Sequence, residues 1–89
     1  MLNKSVEIVN KLGLHARASS KLVELANKFS CNILLKKGDK VANAKSIMTV
    51  MMLSANKGSI LDITTDGVDE LDAMDKIVEL ISNKFGESE

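Results

Sequence analysis

The spacing of apolar residues in this chain switches repeatedly between a period of two and the helical period, and that alternation limits its fold most. Ser5-Val6-Glu7-Ile8 alternates polar and apolar, which predicts a half-buried strand. Asn10 to Leu14 then reads as a loop. From Ala16 the period lengthens. Ala18, Leu22, Leu25 and Phe29 recur at helical spacing, Val23 and Ala26 widen the stripe, and the helix is expected to end near Phe29. Asn32 to Lys37 reads as a second strand with Ile33 and Leu35 facing inward. Lys37-Gly38-Asp39 signals a hairpin, with Lys40 to Ala44 returning. Ser46 is placed to cap a short helix over Ile47-Met48-Thr49-Val50-Met51-Met52-Leu53. Asn56-Lys57-Gly58 turns the chain into a fourth strand, Ser59 to Thr65, with Leu61 and Ile63 on one face. Asp69 is placed to cap a last helix whose apolar stripe is Leu71, Met74, Ile77, Val78, Ile81 and Phe85.

The order is therefore β-α-β-β-α-β-α, in a chain long enough for one domain over residues 1–89. Short strands with helices on one face imply an α+β open-faced sandwich. The long crossovers are expected to place the first and last strands together inside the sheet. The bare sheet face should carry Ser5, Glu7, Lys36 and Asp62.

Composition removes several classes of function. A 45% hydrophobic and 27% charged chain suits a soluble globular domain. Lys plus Arg and Asp plus Glu both number 12, and Phe29 and Phe85 are the only aromatic residues. A nucleic-acid binder is not expected, because it shows a basic stripe and stacking platforms. Cys31 is alone, so no internal disulfide is possible, and a small buried hydrophobe is the expectation for it. One histidine and one cysteine make a metal site unlooked for, and no cofactor motif is present. No stretch reads as a membrane span or a signal segment, which points to the cytoplasm.

The chemistry concentrates in Gly13-Leu14-His15-Ala16-Arg17. The single histidine falls at a strand-to-helix junction, where backbone N–H groups are unpaired and the helix dipole favours negative charge. Arg17 in the first helical turn opposes that dipole, and an anionic guest resolves the conflict. A phosphoryl group on the imidazole of His15 would accept hydrogen bonds from the Ala16 and Arg17 amides and from the guanidinium. The imidazole is nucleophilic near neutral pH without a separate base. No carboxylate pair or metal cluster is available to activate water, so the expectation is a relay rather than a hydrolase. The chain would be a substrate in each transfer, not a turnover enzyme.

Two separated motifs, Gly13-Leu14-His15-Ala16-Arg17 and Asn43-Ala44-Lys45-Ser46-Ile47-Met48 followed by Met51-Met52-Leu53, resemble those of the HPr phosphocarrier family of the bacterial phosphotransferase system. The resemblance spans essentially the whole chain. It implies a four-stranded antiparallel sheet with three helices on one face. It also implies phosphorylation of His15 at Nδ1 by Enzyme I, itself charged by phosphoenolpyruvate, with Arg17 stabilising the adduct and onward transfer to an EIIA protein. Ala18 departs from the proline usual after the arginine; alanine keeps the helix and leaves one more N–H donor. Asn10-Lys11-Leu12-Gly13 resembles the nitrogen-type branch.

Ser46 has two readings: an ordinary N-cap, and, through the resemblance, a regulatory phosphorylation site for an HPr kinase/phosphorylase, with Lys45 as partner to the phosphate. The short helix is rich in methionine, one or two of which are expected in the core. Ile47, Met48 and Met51, with Leu14 and Ser19, are expected to form an adaptable patch for docking proteins around His15. The carrier is expected to be a monomer. Two other readings compete. One is a purely regulatory binding module switched at Ser46, against which the presence of His15 counts. The other is a small-ligand sensory domain, which lacks a glycine-rich ligand loop beyond Gly13.

Overall fold

A computed structural model describes residues 1–89. The elements run β1 (Leu2–Glu7), α1 (Ala16–Ala26), β2 (Asn32–Lys37), β3 (Lys40–Asn43), α2 (Ile47–Met51), β4 (Ile60–Asp66) and α3 (Glu70–Ser82), followed by a 3₁₀ turn over Lys84–Gly86. The expected order is present, and the three helices lie on one face of a four-stranded antiparallel sheet. The strand order is β1-β4-β2-β3. β1 does pair with β4, Ser5 opposite Asp62 and Glu7 opposite Ile60, but it is an edge strand. The interior positions belong to β4 and β2. The β2–β3 hairpin closes in two residues, with Gly38 at a positive φ of 58°.

Alternation decides which side chains the helices cover. Ile33, Leu35, Leu61, Ile63 and Thr65 are buried, while Ser5, Glu7 and Lys36 lie on the bare face, where the Ser5 hydroxyl donates to Asp62. Ala18, Leu22 and Ala26 of α1 point into the same core at successive four-residue steps. Each large side chain in this layer contributes about 1.5–3 kcal/mol of hydrophobic transfer free energy.

The helix ends depart from their expected positions for polar reasons. α1 ends at Ala26, where the Lys28 and Phe29 amides switch to tighter bonds with the Leu25 and Ala26 carbonyls and the Asn27 side chain donates to the carbonyls of Val23 and Lys45. Phe29 is then only partly buried against the core. Asp69 stands at the N-cap of α3 but makes no capping bond. Its carboxylate accepts instead from the Ser30 and Cys31 amides at 2.8 and 2.9 Å, which holds it below the usual carboxylate range. Leu71 is exposed, at the edge of the α3 stripe; Ala73, Met74, Ile77 and Ile81 carry the packing. Phe85 is buried, but from the 3₁₀ turn, where it and Lys84 both adopt a φ of 56°.

Three lysines serve as backbone caps. Lys21 Nζ donates to the Phe85 carbonyl, Lys37 Nζ to those of Leu53 and Ser54 at the end of α2, and Lys45 Nζ to that of Phe29. Cys31 is buried, and desolvation raises its thiol above the ordinary range.

Candidate functional site

Gly13 sets the entry to the site. Its φ is +66°, and a Cβ there would lie 2.7 Å from the Ala55 carbonyl oxygen and 2.8 Å from Asn56 Cα. Only glycine allows this approach to the Ala55–Asn56 backbone. The next amide, of Leu14, donates to that same Ala55 carbonyl at 2.8 Å. Ser19 Oγ donates back to the Leu14 carbonyl at 3.0 Å, fastening the loop onto α1.

His15 is the N-cap of α1, with extended backbone (φ −75°, ψ −179°). Its carbonyl accepts the first helical bond from the Ser19 amide at 2.8 Å. The amides of Ala16, Arg17 and Ala18 precede that bond and have no partner inside the helix. The imidazole does not cap them, and no acidic side chain stands in the first turn. A cluster of donors at the positive end of an eleven-residue helix therefore stands beside the ring. Arg17 is exposed and forms no close ion pair; its guanidinium lines one depression with Glu87, whose carboxylate its charge helps to stabilise.

The ring is 26% exposed, and what covers it was not foreseen from sequence. Lys84 and Phe85, in left-handed conformation, turn the chain back so that Glu87 reaches the site. Glu87 Oε2 lies 2.5 Å from His15 Nε2, and Oε1 accepts from Asn10 Nδ2 at 2.9 Å. Asn10 is fully buried and also donates to the Gly13 carbonyl at 2.8 Å. These donors, Asn10 first and His15 second, hold the Glu87 carboxyl below the usual carboxylate range. The Glu89 carbonyl in turn accepts from the Lys11 amide. An open depression beside the ring is lined by Lys11, Leu12, Arg17, Glu87, Ser88 and Glu89. The sequence signal available was weak: an acidic tail, with nothing to say that it returns to residue 15.

Ser46 is the N-cap of α2, as its position suggested, but its hydroxyl makes no capping bond. Thr49 Oγ1 lies over that end instead, 2.9 Å from the Asn43 carbonyl and 3.1 Å from that of Ser46. Lys45 does not face Ser46, because its ammonium is bound to Phe29.

The docking patch needs correction. Leu14 and Ser19 are buried and belong to the core and the loop fastening, not to the surface. No methionine of the α2 region fills the core either: Met48, Met51 and Met52 are 70%, 43% and 69% exposed. Val50 is the only buried residue of α2, and Leu53, two residues past its end, fills the next inward position, while the thioethers stay exposed. Ile47 is exposed with them and shares a shallow depression with Ser20, Val23 and Glu24 of α1.

Known proteins share this sequence pattern and this fold. A family model described as the PTS HPr component phosphorylation site matches residues 2–83. The phosphocarrier protein HPr of Cupriavidus necator is 51% identical over 89 residues, covering 100% of both chains. The crystal structure of HPr-C-His from Thermoanaerobacter tengcongensis superposes with a TM-score of 0.96 at 43% identity, covering 100% of both chains. An HPr dimer from the same organism matches with a TM-score of 0.79 at 44% identity, covering 98% of this chain and 100% of that one.

Proposed function

Because the chain belongs to the HPr family of phosphotransferase-system phosphocarriers, we propose that His15 is its phosphoacceptor. In this reading the phosphoryl group comes from Enzyme I, charged by phosphoenolpyruvate, and passes to an EIIA protein. The observation that carries it is the placement of the imidazole at the start of α1, beside unpaired amides and the exposed guanidinium of Arg17. A phosphoryl group on Nδ1 would gain charge-assisted hydrogen bonds from Ala16, Arg17 and the guanidinium. Exposed charge–dipole contacts of about 0.3–1 kcal/mol each favour the adduct without trapping it, as a relay requires.

Ile47, Met48, Met51 and Met52 form the docking surface in this reading. Thioether side chains adapt to partners of different shape. The carrier works as a single-domain monomer in the cytoplasm. Ser46 is a second, regulatory acceptor for an HPr kinase/phosphorylase; its uncapped hydroxyl supports this, and the phosphate would add negative charge at the edge of the docking surface.

Incubation with Enzyme I and phosphoenolpyruvate tests the main reading. The wild-type chain is expected to gain one acid-labile phosphate and His15→Ala none. Labelling of His15→Ala, or no labelling of the wild type, refutes it. Light scattering across concentration tests the monomer, and HPr kinase with ATP on Ser46→Ala tests the second acceptor.

A further inference from the structure

We propose that Glu87 is a positioning residue that fixes the His15 tautomer, leaving Nδ1 as the nucleophilic nitrogen and balancing the charge the ring acquires on phosphorylation. The inference rests on the carrier reading above and goes beyond it to name what orients the ring. A neutral imidazole has one donor and one acceptor nitrogen, whereas an ionised carboxylate can only accept. Glu87 Oε2 at 2.5 Å from Nε2 therefore requires the proton on Nε2. The lone pair is left on Nδ1, which has no hydrogen-bond partner in the protein.

The carboxylate is itself held in place. Its other oxygen accepts from Asn10, a fully buried side chain anchored to the Gly13 carbonyl two residues before the histidine. Asn10, Gly13, His15 and Glu87 thus form one connected set, and rotation of the ring breaks its bond to a fixed acceptor. The side chain of Glu87 is only 14% exposed, so water competes poorly for that contact. Buried Phe85 anchors the turn from which Glu87 extends. A carboxylate on the far nitrogen of a working imidazole sets its orientation and stabilises the cation formed on the ring.

The step balances with phosphoramidate as a small-molecule donor. The P–N bond of its zwitterion breaks and ammonia leaves with the electron pair. The Nδ1 lone pair forms the new N–P bond. The proton on Nε2 stays, the ring becomes an imidazolium, and Glu87 carries the compensating charge. Phosphoramidate needs no protein docking, so an effect on its rate is an effect on the ring.

The test compares the wild type, Glu87→Ala and Glu87→Gln. ¹⁵N chemical shifts of the neutral His15 ring, recorded without any donor, are expected to show the Nε2–H tautomer as the major form in the wild type. Glu87→Gln, which keeps an acceptor oxygen, should retain it, and Glu87→Ala should lose that bias. The initial rate of phosphohistidine formation from phosphoramidate is expected to fall about tenfold in Glu87→Ala, the lower end of what loss of an orienting partner costs. Glu87→Gln should fall between. Backbone amide spectra that overlay outside the site establish that the variants are folded.

A major Nδ1–H tautomer in the wild type overturns the proposal. So does a Glu87→Ala rate within twofold of wild type. A faster Glu87→Ala overturns it too, because the tail would then be a cover and not a support. A wild type that takes no phosphate from Enzyme I refutes the carrier reading instead; a wild type that does, with Glu87→Ala indistinguishable in tautomer and rate, refutes the role of Glu87 alone.

Discussion

Gly13→Ala measures how tightly the loop before His15 is held. Two costs add. A side chain at φ +66° is in the left-handed region, which costs an L-residue about 1–2 kcal/mol. The new Cβ would also sit 2.7 Å from Ala55 O and 2.8 Å from Asn56 Cα. Both are backbone atoms, so relief requires moving main chain, and overpacking of that kind costs about 1–3 kcal/mol. The expected loss is therefore about 2–5 kcal/mol, a large part of the roughly 4–13 kcal/mol available to a domain of this size. Gly38→Ala is the matched control. Its φ is +58°, but nothing lies within 4 Å of the added Cβ, so it should lose only the conformational part, about 1–2 kcal/mol. Urea unfolding with unchanged slope reads both values, and with a slope of about 1 kcal/mol per molar the Gly13→Ala midpoint should drop by about 2 M or more. Equal losses in the two variants would refute the steric argument, and with it the view that close backbone approach fixes the loop.

Further outcomes follow from the same structure. Leu22→Ala, which empties a fully buried position on α1, should cost about 2–5 kcal/mol in urea unfolding, whereas Met48→Ala should change stability by less than about 0.5 kcal/mol and weaken docking to Enzyme I in calorimetry. Arg17→Ala should leave the fold intact and shorten the lifetime of the phosphorylated state, read by ³¹P NMR; an unchanged lifetime would remove the guanidinium from the site. Cys31 should react with a disulfide reagent only as fast as the chain unfolds, because the thiol is buried and poorly ionised. The Glu87 carboxyl is held below its ordinary value of 4.5, so its contribution is complete above that pH and is lost as pH falls through the depressed value. Amide shifts of Asn10 and His15 should accordingly report release of the tail in that acid range, and Glu87→Gln should abolish the transition.

What the sequence made legible was local. Period changes located the helices and strands, and glycine spacing located Gly13-Leu14-His15-Ala16-Arg17 at a helix start, because these signals depend on residues a few positions apart. The contacts that complete the site are of another kind. Glu87 meets His15 across 72 positions and Asn10 across 77, and no periodicity encodes such a meeting. It depends on two left-handed residues, Lys84 and Phe85, neither of them glycine, with the phenyl ring of Phe85 buried in the core. The methionines were legible in part. Met48 and Met51 lie on the surface as expected, but no methionine of this segment enters the core, because Val50 inside the five-residue helix and Leu53 just beyond it fill the inward positions. Edge and interior strands differ by more than local pattern: β4 buries Leu61, Ile63 and Thr65 in alternation, whereas β1, with a single neighbour, only half-buries Leu2 and Val6.

The lysine caps alter what an approaching protein feels at long range. Lys21, Lys37 and Lys45 turn their ammonium groups onto carbonyl oxygens of their own chain, in a molecule whose formal charges already cancel. Each bond to a neutral carbonyl leaves the ammonium charge in place but fixes where it stands, so these three charges meet a diffusing partner at set points. Their share in steering an encounter should fall as salt screens it.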